Sequence, residues 1–522
     1  MKFHWNYNYL KEENPFKQIM ENRNMAESFL ELSISDIPDF KLMKDISKAA
    51  SRIIKAVQQK EKIFIFGHDD VDGITSTYIL FNFLGKIGSQ NHYCFIPNRL
   101  TDHHGIQQNF IQKVTDENAN LIITVDGGIS DFEAIEHLQN NLCDVIITDH
   151  HIVQHSVPKA FAVVNPKQHD CDFPFKMMAG VGVVYFLLKM MAEKLSISID
   201  KNYLFWVAAG TIADKVPLRN TNRILVKEVL ENWTSFDDDT LKNLDDYLCA
   251  PLNFTERLRI IKFINRLFSN GRLPDGQNLA LELLLTEESE QKPIIYQLFA
   301  KATDAKKKKN DVNLIIKNIT ENIIDDHFIF VDFENKIPIE FAGHSASKIV
   351  KKHKIPAIII KPKNGIFAGE ARSAGRFNLM DAFEYCKSSL IQFGGHAKAA
   401  GFTIEKENLE MFQAKFKAYL QTQKNILFEN ETIKIDAILD AEDIEYLDEY
   451  IQMEYNLLQP IGQGNVTPHF LIKNFLPKRD VNKIKINFRN TDIKHDHHYA
   501  VIVKWSGKSF NVVDYRKANY LL

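Results

Sequence analysis

Five cysteines in 522 residues, Cys94, Cys143, Cys171, Cys249 and Cys386, are odd in number, widely scattered and form no CxxC pair. Neither a disulfide framework nor a thiolate zinc site is therefore indicated, and buried thiols are expected. No stretch approaches 18 uninterrupted apolar residues, so no membrane span or membrane partner is expected. The first 16 residues have no apolar core of signal-peptide length, which points to a cytoplasmic location. A large charge of one sign is missing too: the net charge is −3, which makes no overall electrostatic case for a polyanionic partner. Repeats and low-complexity tracts are absent, and a composition of 45% hydrophobic and 25% charged residues is that of a chain that folds throughout. At this length one hydrophobic core does not suffice, and about three or four units are expected.

What is present is unevenly placed. Residues 341 to 420 carry 13 Lys/Arg against 6 Asp/Glu, and residues 471 to 520 carry 11 against 4, while 429 to 454 is strongly acidic. Segregated basic surfaces suit a polyanionic substrate, and a solvated basic face is the plain alternative. Residues 26 to 60 read as helices. Three apolar runs follow, Ile63–Phe66, Leu121–Val125 and Val145–Thr148, each ending on acidic residues and alternating with helical stretches, the first of them expected from about Thr75 to Phe83. This is the pattern of buried parallel strands in an α/β sheet, where ligands sit beyond the carboxyl ends of the strands. Residues 236–310 read as a helical connector and 311–424 as a second, smaller α/β unit. Alternating segments at Ile433–Ile438, His469–Ile472, Ile484–Phe488 and Tyr499–Trp505 suggest a small β-barrel over 425–522.

The turn after the first run, Gly67-His68-Asp69-Asp70-Val71-Asp72-Gly73, gathers an imidazole and three carboxylates. Like charges so close repel unless a cation neutralises them, so a divalent-metal site is the economical reading and a surface Asp-rich turn the alternative. Asp126 and Asp149-His150-His151 end runs of the same kind, and Asp214 follows the apolar stretch from Phe205 to Ala213. If these strands are neighbours, His68, Asp70, Asp72, Asp126, His150 and Asp214 converge on one crevice, with a ligand mixture suited to Mn²⁺ or Mg²⁺. Asp-His-His also occurs at 102–104, in a polar loop, and at 496–498, between two alternating strands. Only the copy at 149–151 follows a buried-strand run, and catalysis is assigned to it alone.

The strings GHDDVDGITST, ITVDGGIS, IITDHH, NPKQHDCDFPFKMMAGVGV, GTIADKVPL and GGHAKAAG occur in this order. Together they resemble the successive motifs of the RecJ-like DHH phosphoesterases. The resemblance implies a parallel-sheet DHH domain with its helical entry over 1–235, then the connector, a DHH-associated domain and an OB-like barrel. It implies two Mn²⁺ or Mg²⁺ ions and a two-metal exonuclease acting on single-stranded nucleic acid, DNA favoured over RNA, 5′ to 3′, in repair or recombination. A single-strand-binding protein or a helicase is the implied protein partner. His151 would contact the scissile phosphate, and Asp149 would orient the neighbouring imidazole. Arg99, Arg272, Arg372 and Ser373 fall in strings that look like phosphate contacts, with surface salt bridges as the alternative for each arginine. Gly394, Gly395 and His396 look like a close approach to substrate, with a tight helix-packing turn as the alternative. Phe488, Tyr499 and Trp505 are candidate stacking faces or plain core residues. The family usually has Asp at the position of His68 and DNG where this chain has Asp126-Gly127-Gly128. Two other readings stay open: a DHH enzyme of small substrates such as oligonucleotides or cyclic dinucleotides, and a catalytically silent nucleic-acid-binding relative.

Overall fold

Short, mostly apolar runs suit strands buried on both faces, and in the computed structural model Ile63–Phe66 (β1), Leu121–Val125 (β3) and Asp144–Thr148 (β4) lie in the interior of a sheet. The structure describes all residues except 1–2, 7–13, 98–104, 142, 154–155, 249, 251–252, 322–326, 364, 424–431, 478–485, 489–491, 495 and 518–522. With His92–Phe95 (β2) and Ala162–Val164 (β5), these strands form a five-stranded sheet of order β2-β1-β3-β4-β5, parallel at every pair. The order reverses between β1 and β3. In such sheets the crevice at that switch point, beyond the carboxyl ends, is where ligands bind.

Helices cover the sheet, among them Ile46–Gln58 (α1), Val71–Lys86 (α2), Gly180–Leu195 (α3) and Tyr203–Asp214 (α4). Helix α2 starts four residues earlier than its apolar spacing suggests, because Asp70 caps it: its Oδ1 accepts from the Gly73 amide at 3.0 Å. Ile53, Ile65, Ile74, Val184, Val207 and Trp206 share one core among these elements. The connector is helical, with Phe254–Phe268 (α5) as a principal member.

The chain divides into two units, one made of residues 8–302 and 435–522, the other of 1–7 and 303–434. The second unit holds a sheet of its own, built from Phe328–Val331 (β6), Ala357–Lys363 (β7), Ile366–Arg372 (β8), Gln392–His396 (β9) and Ala399–Ile404 (β10) in the order β9-β10-β8-β7-β6. Only β6 and β7 pair in parallel. Inside this unit Lys361 reaches Asp332 at 2.8 Å, a buried ion pair that also takes in the Lys336 and Ile337 amides.

Near the C-terminus the expected barrel is not found as a closed sheet. Ala437–Asp440 (β11), His469–Phe475 (β12), Ile486–Asn487 (β13), Tyr499–Trp505 (β14) and Phe510–Lys517 (β15) run in the order β11-β12-β14-β15-β13, and no pair closes it among the described residues. The segment from Ile433 to Ile438, expected as one strand, is split: Thr432–Lys434 pairs with His4–Asn6, and only Ala437 onward joins this sheet. Tyr499 is core, 1% exposed, while Phe488 packs on Phe475 and Trp505 on Phe510. None of the four described cysteines is in a disulfide; Cys249 lies outside the described residues. No described helix is long and apolar enough to cross a membrane.

Candidate metal centre

Each acidic motif reaches the switch point by a different local device. After β1 the chain turns so tightly that a Cβ on Gly73 would stand 2.4 Å from the His68 carbonyl oxygen, which only glycine avoids. Asp72 then sits in the first turn of α2, 1% exposed, and its two carboxylate oxygens accept from the Gly180 and Val181 amides, both at 2.8 Å, at the start of α3. That anchorage spends the helix's free amides on a carboxylate. Asp126, directly after β3, takes a left-handed φ of 55°, a conformation that aspartate tolerates better than most residues other than glycine, and is 2% exposed.

The side chains converge. His68 Nδ1 lies 3.1 Å from Asp70 Oδ2 and 3.7 Å from Asp126 Oδ2. His150 Nε2 lies 3.1 Å from Asp126 Oδ1, 3.8 Å from Asp214 Oδ2 and 3.9 Å from Asp72 Oδ2. Three groups have ligand atoms within 4.8 Å of one another: His68, Asp70 and Asp126; Asp72, His150 and Asp214; and Asp126 with Asp149, His150 and His151. Asp126 and His150 each belong to two of them, so the residues present fit more than one divalent cation. Hard oxygen donors with one imidazole for each position fit Mg²⁺ or Mn²⁺.

Electrostatics give the same answer. Burial, reinforced by neighbouring carboxylates, raises Asp72 and Asp126 well above the usual carboxylate range and Asp214 to about 6. Burial lowers His150 to about 4, keeping the imidazole neutral as a ligand requires. Such a set holds its charge at neutral pH only beside a positive partner.

Asp149 differs. It is fully buried, yet its Oδ1 accepts from the His150 amide at 2.6 Å, the His151 amide at 3.0 Å and His151 Nδ1 at 2.7 Å, while Oδ2 accepts from the Ile129 amide at 3.0 Å. Burial pushes its carboxyl up, but His151 and these amides outweigh that and hold it below the usual range. The imidazole it orients is thus His151, whose pKa is raised in return. His151 is half exposed and has Nε2 to offer a ligand.

A cavity of about 400 Å³ opens beside this centre, lined by His68, Asp126, Asp149, His151 and the turn from Gly127 to Asp131. A Cβ on Gly127 would meet nothing within 4 Å, so the DGG turn leaves room where the family carries a side chain. Arg272 reaches the centre's edge but is already engaged by the Asp69 carboxylate and backbone carbonyl. Arg99 and the triplet at 102–104 lie outside the described residues. The triplet at 496–498 is a surface turn in which His497 meets its neighbour Asp496 at 3.0 Å. Two residues escaped the sequence reading although they stand in the NPKQH string. Asn165, fully buried, donates to the His151 carbonyl at 3.0 Å, and Lys167 places a cation whose charge reaches Asp149 and Asp214.

The remaining named residues belong to the second unit. Ala399 on β10 pairs with Arg372 on one side and His396 on the other, so these two flank it across three adjacent strands. Arg372 meets Glu370 at 3.0 Å, and Ser373 turns its hydroxyl to the Phe377 carbonyl. Gly394 and Gly395 lie on β9, in a hairpin rather than the helix-packing turn considered from sequence; at Gly395, with φ 132°, a Cβ would stand 2.6 Å from the Ala399 carbonyl oxygen.

Residues 62–211 match the DHH family, N-terminal domain, and residues 327–422 the DHHA1 domain. The chain is 33% identical over 481 residues to the single-stranded-DNA-specific exonuclease RecJ of Bacillus subtilis, covering 90% of this chain and 59% of that protein. It therefore spans less than two thirds of that relative. It is 28% identical over 424 residues to RecJ of Escherichia coli, covering 74% and 71%. RecJ of Thermus thermophilus in complex with Mn²⁺ shares the fold, with a TM-score of 0.76 at 23% identity over 98% of this chain and 79% of that one. An exonuclease RecJ bound to manganese matches with a TM-score of 0.61 at 28% identity, over 73% and 95%. Residues 62–211 thus carry a DHH-family N-terminal domain and residues 327–422 a DHHA1 domain, in that order, and along most of its length the chain is similar to the RecJ exonucleases.

Proposed function

We propose that the protein is an exonuclease that hydrolyses phosphodiester bonds of single-stranded DNA from the 5′ end, in repair or recombination. The observation that carries this reading is the pair of ligand groups joined through Asp126 and His150 at the switch point. His68, Asp70, Asp72, Asp126, His150 and Asp214 would hold two Mn²⁺ or Mg²⁺ ions; the similar RecJ structures are complexes with manganese. Ions bound there would supply Lewis-acid stabilisation of the charge that builds on the phosphoryl group and its leaving oxygen.

The chain's own residues do the rest. Asp72, locked by two amides, fixes its carboxylate before any ligand arrives. The Asp149 carboxylate, accepting from Nδ1, favours the imidazolium of His151, whose Nε2–H can then donate to the scissile phosphate. Arg99, Arg272, Arg372 and Ser373 are proposed to hold phosphates of the strand, with Gly394, Gly395 and His396 allowing its close approach. A helicase or a single-strand-binding protein would present that strand. The test is degradation of end-labelled single-stranded and blunt duplex DNA, and of RNA, in Mn²⁺ or Mg²⁺. Release of label from the 5′ end of single-stranded DNA is expected. Equal rates on blunt duplex, or release from the 3′ end first, would overturn the substrate form or the polarity respectively.

A further inference from the structure

We propose that a basic cavity between α5, the end of α4 and the loop Ile461–Gln463 is a subsite for a nucleotide unit of the strand away from the scissile bond. This rests on the single-strand reading above. The cavity, about 660 Å³, lies wholly within the unit that holds the metal centre.

Its walls carry Lys215, Arg259, Lys262 and Arg266 and no carboxylate. Arg259, Lys262 and Arg266 stand at i, i+3 and i+7, which puts them on one face of α5. Lys215 follows the proposed metal ligand Asp214 directly in the chain. Among the described residues none of the four is in an ion pair; Arg259 only approaches the Gly507 carbonyl at 3.5 Å, and Arg266 lies 5.8 Å over the Phe263 ring. Lys262 is reachable by solvent, yet the surrounding protein lowers its pKa with no acid to offset the loss. Four cations facing one hollow repel one another unless an anion joins them.

The opposite wall is fixed. Leu218 donates its amide to the Gln463 carbonyl at 2.8 Å, and Arg219 Nε donates to the Gly464 carbonyl at 2.7 Å. A Cβ on Gly462 would stand 2.6 Å from Leu218 Cδ1, so the loop lies against this turn because glycine is there. Two polar side chains lining the cavity are buried deeply, Asn265 at 7% exposure and Thr211 at 0%. Asn265 gives its amide nitrogen to the Ala209 carbonyl at 2.8 Å, but its Oδ1, like Thr211 Oγ1, has no hydrogen-bond partner in the protein. An Oδ1 can only accept. A bare phosphate has little to give it, whereas a base N–H or a sugar hydroxyl does, and Val216 and Ile461 supply apolar surface for the same unit.

The test is binding of labelled oligo-dT to the full chain, in chelator to prevent cutting, across a salt series. Each phosphate contact contributes about 0.7 to the slope of log affinity against log salt for single strands. The triple variant R259Q/K262Q/R266Q is expected to lose about 2 from that slope with a 20-mer. K262Q alone should lose about 0.7. K159Q, a surface control, should lose nothing. Thermal melting checks the fold, and if the triple variant melts early the single variant decides. An unchanged slope in variants that still bind single strands overturns the subsite and leaves the nuclease reading standing. Wild-type protein that neither binds nor cuts single strands overturns both. Millimolar inorganic phosphate that binds the wild-type protein and not the triple variant, with the salt slope of the 20-mer the same in both, would assign the cavity to a free anion and overturn the strand proposal.

Discussion

Asp149→Asn isolates positioning from ligation, because the change keeps shape and removes only charge and one acceptor. The carboxylate accepts four hydrogen bonds, three at Oδ1 and one at Oδ2. An asparagine brings one oxygen. If that oxygen takes the Oδ1 position, the new NH₂ faces the Ile129 amide, donor against donor; flipped, it faces three donors. The better rotamer therefore leaves one buried donor unsatisfied, a cost of about 1–3 kcal/mol. The bond to His151 Nδ1 survives but loses its charge assistance, which halves it at most. Losing the group that orients an imidazole beside a metal costs about 10–100-fold in activity or metal affinity. The assay is kcat and KM on a 5′-labelled oligonucleotide over a Mn²⁺ titration, with a melting curve alongside. Turnover within threefold of wild type at saturating metal, with unchanged metal dependence, would refute the positioning role. Complete loss of the folded transition would show that the bonds at Asp149 serve the fold first.

Asp126→Ala removes the carboxylate common to two ligand groups, so hydrolysis should fall below detection while strand binding persists; His497→Ala, in the surface triplet, should match wild type in the same gel assay. Dialysis against a chelator should abolish cutting, and add-back of single metals should restore it with Mn²⁺ or Mg²⁺ and not with Zn²⁺ alone. Asp332→Ala should destabilise its unit by about 3–5 kcal/mol in urea melts, since it leaves Lys361 charged and buried, and Asp332→Leu with Lys361→Met should recover most of the loss. The same pair gives a pH dependence. Burial raises the Asp332 carboxyl, but Lys361 and two amides outweigh this and hold it below its ordinary value. A depressed folded pKa means the stabilisation is whole above the unfolded value of about 3.9 and drains away as pH falls through the folded one, so the urea midpoint should drop below about pH 4 and the Asp332→Leu/Lys361→Met protein should show less of that drop.

The crevice was legible from sequence because its logic is local: a short, mostly apolar run bounded by turn residues reads as a buried strand, and acids at the ends of several such runs meet if the strands are parallel neighbours. The register then carried His68, Asp70, Asp126 and His150 to one place. What sequence could not carry was long-range. Asp72 is held by amides of Gly180 and Val181, more than a hundred residues on, and nothing in the Asp-rich turn announces them. The string around Arg272 does not show that Asp69, two hundred residues upstream in the first motif, pairs with it. Residues 432–434 alternate as a barrel strand would, but alternation states only that one face is buried. It does not name the partner, and here the partner is the chain's own beginning, His4–Asn6. For the same reason the aromatics proposed for stacking were ambiguous: a ring on an alternating strand faces core or ligand with equal ease. Tyr499 faces core, where its hydroxyl also accepts from the Lys494 amide at 3.0 Å. The basic cavity beside α5 escaped for a further reason. Arg259, Lys262 and Arg266 have the spacing of an ordinary solvated helix face, and they become a candidate site only when a loop from residues 461–463 closes the far wall.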